Sequence, residues 1–247
     1  WLNVLPSPVM RALAGGARLG SRSGNRLLGR LDNVLSTRDL KLYQRYLEKA
    51  AICKTGVKSG LYTPEFQAAT ENGNWKERVE ALLDEQASSD PVEELGCLDF
   101  QYYLPNDMLT KVDRMSMLCS LEVRVPFLDE RVVDFAARVP SSVKLRGLTT
   151  KHLLREALST VLPRRITHRK KQGFELPVDS WFSGRFCDYA DSILRDRSAK
   201  SRSYLDPVAV DRILLDHRSG VRNQGRLIFA MVCLELWFQQ VVDQRGA

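Results

Sequence analysis

Apolar residues recur at helical spacing along most of the chain. Between residues 151 and 162, Leu153, Leu154, Ala157, Leu158 and Val161 fall three and four positions apart, which places them on one stripe of a helix. Thr150 stands where an N-cap would and Pro163 where a stop would. The same periodicity predicts helices over 36–50, 74–86, 129–137 and 225–242. Helix-start punctuation repeats as well: Asp90-Pro91 with Glu93 and Glu94, Thr63-Pro64-Glu65, and Asp206-Pro207 each set a capping side chain before a proline at the first helical position. No convincing set of alternating strands and no internal repeat is visible, so the pattern predicts a mainly α chain. The first thirty-five residues are less regular, with Gly15, Gly16, Gly20 and Gly24 among Ser and Arg residues, and read as a broken helix pair or a loop. A dinucleotide-binding reading of these glycines fails because no strand precedes them.

Composition adds bounds rather than detail. With 247 residues, 44% hydrophobic and 27% charged, the chain is ordinary globular material, long enough to bury a core. No apolar run approaches the roughly eighteen residues that span a bilayer, and no signal peptide opens the chain, so a cytoplasmic protein without a membrane partner is expected. The chain begins at Trp1 rather than Met, and is expected to be a fragment of something longer. Cys53, Cys97, Cys119, Cys187 and Cys233 are odd in number and widely spaced, with no CxxC pair. Neither a disulfide framework nor a zinc site is expected, and most of these thiols are expected to be buried. His152, His168 and His217 are scattered and carry no expected metal or triad role; Trp237 and Phe238 are expected in the core; Ser116 and Ser120 have no base partner nearby.

Charge changes the picture more. The net charge is +7, and residues 1–140 carry 18 Lys and Arg against 19 acids, while 141–247 carry 19 against 11. From Lys144 to Lys171 nine cations meet a single acid, Glu156. Such a patch concentrates polyanions, whether nucleic acid, nucleotide or pyrophosphate. A nucleic-acid-binding module is the weaker reading, because the patch lacks interleaved aromatics and no helix-turn-helix or zinc pattern is visible.

Two stretches carry candidate chemistry. Residues 103–117 suit a helix whose polar face bears Asp107, Lys111 and Arg114 at spacings of four and three. Residues 121–125 then alternate and meet Pro126, so they should run extended, with Glu122 and Arg124 on one side. These charges suit, first, a structural salt-bridge network; Glu122 between Leu121 and Val123, expected buried or half-buried beside Arg124, is also the kind of group whose environment can tune proton transfer, the lesser of the two readings on spacing alone. The second stretch runs Arg169-Lys170-Lys171-Gln172-Gly173-Phe174. Gly173 permits a turn and Phe174 can anchor it, leaving ammonium groups free to follow phosphate oxygens. Composition alone leaves anion site and solvated loop equally open.

The run YLPNDMLTKVDRMSM, then LEVRVPFLD, then K-x-x-L-R-x-A-L at Lys151 to Leu158, Leu162-Pro163, R-x-K-x-G-F at Arg169 to Phe174 and Trp181 downstream resembles the C-terminal synthetase part of the glutamine-hydrolysing asparagine synthetases. The likeness is clearest over 103–181 and extends, more weakly, over 1–247. It is shared with the β-lactam synthetases. The resemblance implies the C-terminal helical portion of an α/β ATP-pyrophosphatase-type synthetase domain, with the nucleotide-binding parallel sheet upstream. It implies an AMP-forming carbon–nitrogen ligase in which ATP with Mg2+ adenylylates the aspartate side chain, and ammonia from a glutaminase domain attacks the acyl-adenylate. By position, Lys171 corresponds to the family lysine that contacts the phosphates, with Arg169 and Arg124 as further cofactor-binding cations and Glu122 as a catalytic candidate.

Other family motifs are missing from the 247 residues: the pyrophosphate loop S-G-G-x-D-S, the later S-G-[DE]-G-x-D-E segment and the glutaminase cysteine. The resemblance therefore implies no metal ligands here and no amide synthesis by this stretch alone. It leaves open a relative that amidates a sugar acid or closes a β-lactam, and leaves room for a homodimer.

Overall fold

A computed structural model describes residues 40–242 except 72, 74, 87, 148, 170–172 and 174–175. In chain order the helices are α1 (Leu42–Ala50), α2 (Thr55–Leu61), α3 (Pro64–Glu71), α4 (Trp75–Gln86), α5 (Pro91–Leu98), α6 (Thr110–Leu118), α7 (Glu130–Arg138), α8 (Ser141–Lys144), α9 (His152–Leu158), α10 (Arg164–Thr167), α11 (Val178–Ser183), α12 (Cys187–Leu194), α13 (Pro207–Arg218) and α14 (Gly225–Trp237). Two π-helical stretches, Asp99–Leu109 and Phe238–Val242, and two 3-10 turns, Pro126–Leu128 and Lys200–Ser203, complete the elements. Among the described residues there is no strand, only isolated bridges at Tyr62 with Leu205 and Arg146 with Thr149. The mainly α expectation holds.

The chain divides into two compact units, Trp1–Gly73 with Glu175–Ala247, and Asn74–Phe174. The first has a closed core in which Leu61 of α2 joins Val178 and Phe182 of α11, Ala190 and Leu194 of α12, Ile213 and Leu214 of α13, and Ile228 and Met231 of α14. Tyr62, Phe66, Tyr204 and Phe238 extend it as a row of rings 4.8 to 5.2 Å apart, centre to centre. Backbone bonds from Thr63 to Tyr204 and from Asp206 to Leu61 tie the sequence-distant halves of this unit together.

The second unit is different. Among its described residues Val79, Leu98 and Val139 are the buried apolar side chains, while twenty large apolar side chains between Phe100 and Ile166 are exposed. Leu118 is 77% exposed and Phe127 63%. Scattered exposed apolar side chains are ordinary, but this number in one unit is more than its three buried apolar residues can be a core for. Its helices are nevertheless locally well specified: Asp90 accepts the Val92 N–H at 2.8 Å to cap α5, and its other oxygen takes the Ser141 hydroxyl at the start of α8. The Ser141 and Val92 hydrogen bonds hold the Asp90 carboxyl below its usual range.

Several expectations are corrected. The helix over 151–162 is only His152–Leu158, and Thr150 does not cap it. Arg146 and Thr149 pair through their backbones around Gly147 at φ +58°, and the chain enters α9 through Lys151 in a left-handed conformation at φ +57°. The Ser159 hydroxyl donates to the Glu156 carbonyl at the end of the helix, and Pro163 is not its stop but the N-cap of α10. Over 103–117 the first half is π-helical, because Pro105 has no N–H to give the α ladder and the wider turn lets Thr110 bond the Pro105 carbonyl through both N–H and hydroxyl. Only Cys187 is buried; Cys53 and Cys97 are half-buried and Cys119 and Cys233 exposed. All five are free thiols. Trp237 is 49% exposed, on the outer face of α14, whereas Phe238 stacks on Tyr204.

The helix predicted over 36–50 is described from Leu42, and the expectations for the first thirty-five residues lie outside the described residues. The continuous helix Gly225–Val242 is long and apolar enough, by length and composition, to cross a membrane, which the sequence expectation denied. In this structure its Leu227, Ile228, Met231 and Val232 form the core of the first unit.

Candidate functional site

One candidate region runs from the π-helical stretch through α6 to the start of α7. Lys111 and Asp107 pair at 3.2 Å one turn apart, as their spacing predicts. At the end of α6 the chain turns through Ser120, at φ +54°. The Leu121 N–H bonds the Ser116 carbonyl at 2.9 Å and the Ser120 N–H bonds the Met117 carbonyl at 3.0 Å, the paired bonds of a Schellman ending. That ending usually takes glycine; here serine occupies it. Residues 121–125 then run extended, and Pro126–Leu128 form the 3-10 turn leading to α7.

Two of the four predicted site residues are brought together. Glu122 and Arg124 point to the same side of the extended segment and form an ion pair. The expected burial is absent: the two side chains are 71% and 87% exposed. Asp129, the last residue of the LEVRVPFLD run, is structural. It caps α7 by accepting the Arg131 N–H at 3.1 Å, and Arg131 Nε lies 3.0 Å from the same oxygen. The Arg131 side chain, then its backbone N–H, holds the Asp129 carboxyl below the usual range.

The second region begins at α10. Thr167 is buried, with its hydroxyl 2.9 Å from His168 Nδ1, and the Arg169 N–H bonds the Ile166 carbonyl at 3.3 Å. Arg169 is exposed. Lys170, Lys171 and Phe174 lie outside the described residues. Among the described residues no three of His, Cys, Asp and Glu stand close enough together to hold a metal ion.

Beyond this segment, in the unit containing α11, the sequence reading missed a cluster. Asp179, in the first turn of α11, receives His217 Nε2 on its backbone carbonyl at 3.0 Å and Asn223 Nδ2 on its carboxylate at 2.6 Å. Gly225 packs so tightly on it that a Cβ there would stand 2.6 Å from the Asp179 Cα. His217 is buried. The only trace in sequence is a histidine on the apolar side of a helix, which by itself names no partner.

Comparison with known proteins places most of the chain within one family. The family model described as asparagine synthase matches residues 12–239. Asparagine synthetase [glutamine-hydrolyzing] 1 of Bacillus subtilis is 28% identical over 207 residues, covering 83% of this chain and 31% of that protein. A putative asparagine synthetase [glutamine-hydrolyzing] of Mycobacterium tuberculosis (strain H37Rv) is 36% identical over 160 residues, 64% of this chain and 24% of that protein. Asparagine synthetase [glutamine-hydrolyzing] 3 of Bacillus subtilis is 30% identical over 194 residues, 70% of this chain and 31% of that protein. The chain thus spans less than a third of the length of these relatives. No solved structure matches. With a family model covering most of its length and these relatives in agreement, the chain belongs to the asparagine synthase family.

Proposed function

We propose that these 247 residues are the C-terminal helical part of the synthetase domain of an ATP-dependent amidoligase. The enzyme adenylylates the side-chain carboxylate of aspartate and transfers glutamine-derived ammonia to it, giving asparagine, AMP and pyrophosphate. The observation that carries this reading is the family match over residues 12–239. The incompleteness of the second unit supports the companion proposal, that a nucleotide-binding sheet and a glutaminase domain belong to the same longer protein. Twenty exposed apolar side chains beside three buried ones leave a face that needs covering, and the relatives are more than three times the length of the matched segment.

In this reading Lys171 places its ammonium on the phosphate oxygens and follows their charge from triphosphate to pyrophosphate, while Arg169 and Arg124 add positive potential around them. A carboxylate oxygen is a poor leaving group and AMP a good one, so charge stabilisation at the α-phosphate is the demand placed on these cations. Glu122, released from Arg124 when an anion claims the guanidinium, accepts a proton from the attacking ammonia. Mg2+ accompanies ATP and neutralises its phosphates; residues outside those described here hold it.

The test is pyrophosphate release by the full-length protein with ATP, Mg2+, aspartate and ammonium chloride or glutamine. Aspartate-dependent release with AMP formed in equal amount is expected, and none from the 247 residues alone. Release that depends on a sugar acid and ignores aspartate would replace the acceptor; no release with any carboxylate overturns the reading.

A further inference from the structure

We infer that residues 121–125, Leu-Glu-Val-Arg-Val, are a strand that pairs through its backbone with an edge strand of the longer protein, contributed from outside these 247 residues. The inference rests on the proposal that such a longer protein exists. The segment has a strand's pattern: apolar and charged residues alternate over its whole length, two of them valine, until Pro126 ends the run. It has a strand's conformation too, with Val125 at φ −113° and ψ 94°. What it lacks is a partner, since no strand occurs among the described residues.

Its two edges differ. In an extended chain the N–H and C=O of one residue point to one edge and those of the next residue to the other. The edge of Leu121, Val123 and Val125 is occupied at both ends, because the Leu121 N–H bonds the Ser116 carbonyl at 2.9 Å and the Leu128 N–H bonds the Val125 carbonyl at 3.0 Å. The last turn of α6 and the 3-10 turn therefore stand on that side. On the opposite edge no described residue bonds the backbone N–H or C=O of Glu122 or Arg124, and these groups alternate along the chain as a ladder requires.

A connecting loop does not account for this composition, because turns are built from Gly, Pro, Asn, Asp and Ser. Here Leu121, Val123 and Val125 leave 58%, 42% and 41% of their surface exposed on one face. An open edge with an apolar face is a template for pairing, and folded proteins cover such edges. A helix laid on the face would bury the side chains and leave the ladder unmet, whereas a strand with apolar residues on the same face meets both needs. A second copy paired antiparallel about Val123 would also set Glu122 opposite Arg124. A strand of the same molecule outcompetes it, because tethering supplies an effective concentration of about a millimolar, and the matched relatives are more than three times the length of the matched segment.

The test is hydrogen exchange on the full-length protein, resolved to single amides. Pairing on the open edge should slow the Glu122 and Arg124 amides by about a hundredfold or more relative to Val123, whose N–H points to the other edge. Fast exchange at all three, slow exchange at all three, or protection of Val123 alone overturns the strand. A benzophenone amino acid in place of Leu121 then identifies the occupant. Its photoadduct should fall, within one molecule, on a peptide outside the 247 residues; an adduct inside them, a crosslinked pair of chains, or no adduct overturns the assignment. The exchange measurement uses the unsubstituted protein, so it decides the strand even where the substituted protein does not fold. Pyrophosphate release is read on the same sample. Release without the alternating protection overturns the strand alone, and alternation without release overturns the proposed activity and leaves the strand standing.

Discussion

Glu235, in the last turn of the apolar helix α14, is 1% exposed and accepts the Ser201 N–H at 2.8 Å through one oxygen. Its other oxygen takes the Lys200 N–H at 3.2 Å and Gln239 Nε2 at 3.0 Å. The carboxylate thereby caps the 3-10 turn Lys200–Ser203 from within the core. Burial pushes the carboxyl up, but the Ser201, Gln239 and Lys200 hydrogen bonds outweigh it and leave the group below its ordinary range. A depressed folded-state pKa stabilises the fold above the unfolded value, near pH 4.3, and that stability is lost as pH falls through the folded value. Glu235→Gln should cost about 1–3 kcal/mol at neutral pH, because its amide must turn an NH2 toward at least one of these donors. It should also flatten the acid limb of stability. Urea unfolding of both proteins between pH 3 and pH 7 checks both expectations; parallel curves would remove Glu235 from the account.

Ser120 offers the opposite sign. Its left-handed backbone at the end of α6 suits glycine, and no side-chain hydrogen bond from Ser120 to the described residues offsets the strain. Ser120→Gly should raise stability by up to about 1 kcal/mol. Thermal melts are the measurement, and a loss of stability would mean that the serine hydroxyl holds the turn.

What the sequence made legible was local. The caps at Asp90 and Asp206, the pairing of Lys111 with Asp107 and the extended run bearing Glu122 and Arg124 each depend on residues within five positions, and all were readable. The cluster on Asp179 joins it to His217 and Asn223, 38 and 44 positions away, and no local pattern announces it. Glu235 was invisible for the same reason, since its partners lie 34 and 35 positions away. Exposure failed differently. Helical stripes in the second unit predict burial, but the surface that would bury Leu118 or Phe127 is not supplied within the unit, so Glu122 was expected in an environment it does not have here.

Among the described glycines Gly225 makes the tightest backbone approach. A Cβ there would meet the Asp179 Cα and Oδ1 at 2.6 Å and its N at 3.0 Å, mostly backbone that cannot rotate away. Gly225→Ala should therefore cost about 1–3 kcal/mol, although alanine favours helix over glycine by about 1 kcal/mol. Chemical denaturation settles the sign: a stabilised Gly225→Ala protein would mean that α11 and α14 separate at no cost.

The cations of the proposed site make distinguishable predictions in the full-length enzyme. If the Lys171 ammonium tracks charge as the phosphates separate, its loss acts on the transition state more than on binding. Lys171→Ala should then lower kcat for pyrophosphate release by about two to three orders of magnitude while KM for ATP changes far less. Lys171→Arg should not restore it, because a planar fork cannot follow a moving oxyanion as a compact ammonium does. Arg124 is paired with Glu122 and highly exposed, so its contribution is to field and binding. Arg124→Ala should raise KM for ATP by about threefold to tenfold and leave kcat within about twofold, an effect that weakens at high ionic strength. Stopped-flow pyrophosphate release at low and high salt separates the two patterns, and a Lys171→Ala enzyme that matched Arg124→Ala in every parameter would reduce Lys171 to one cation among several.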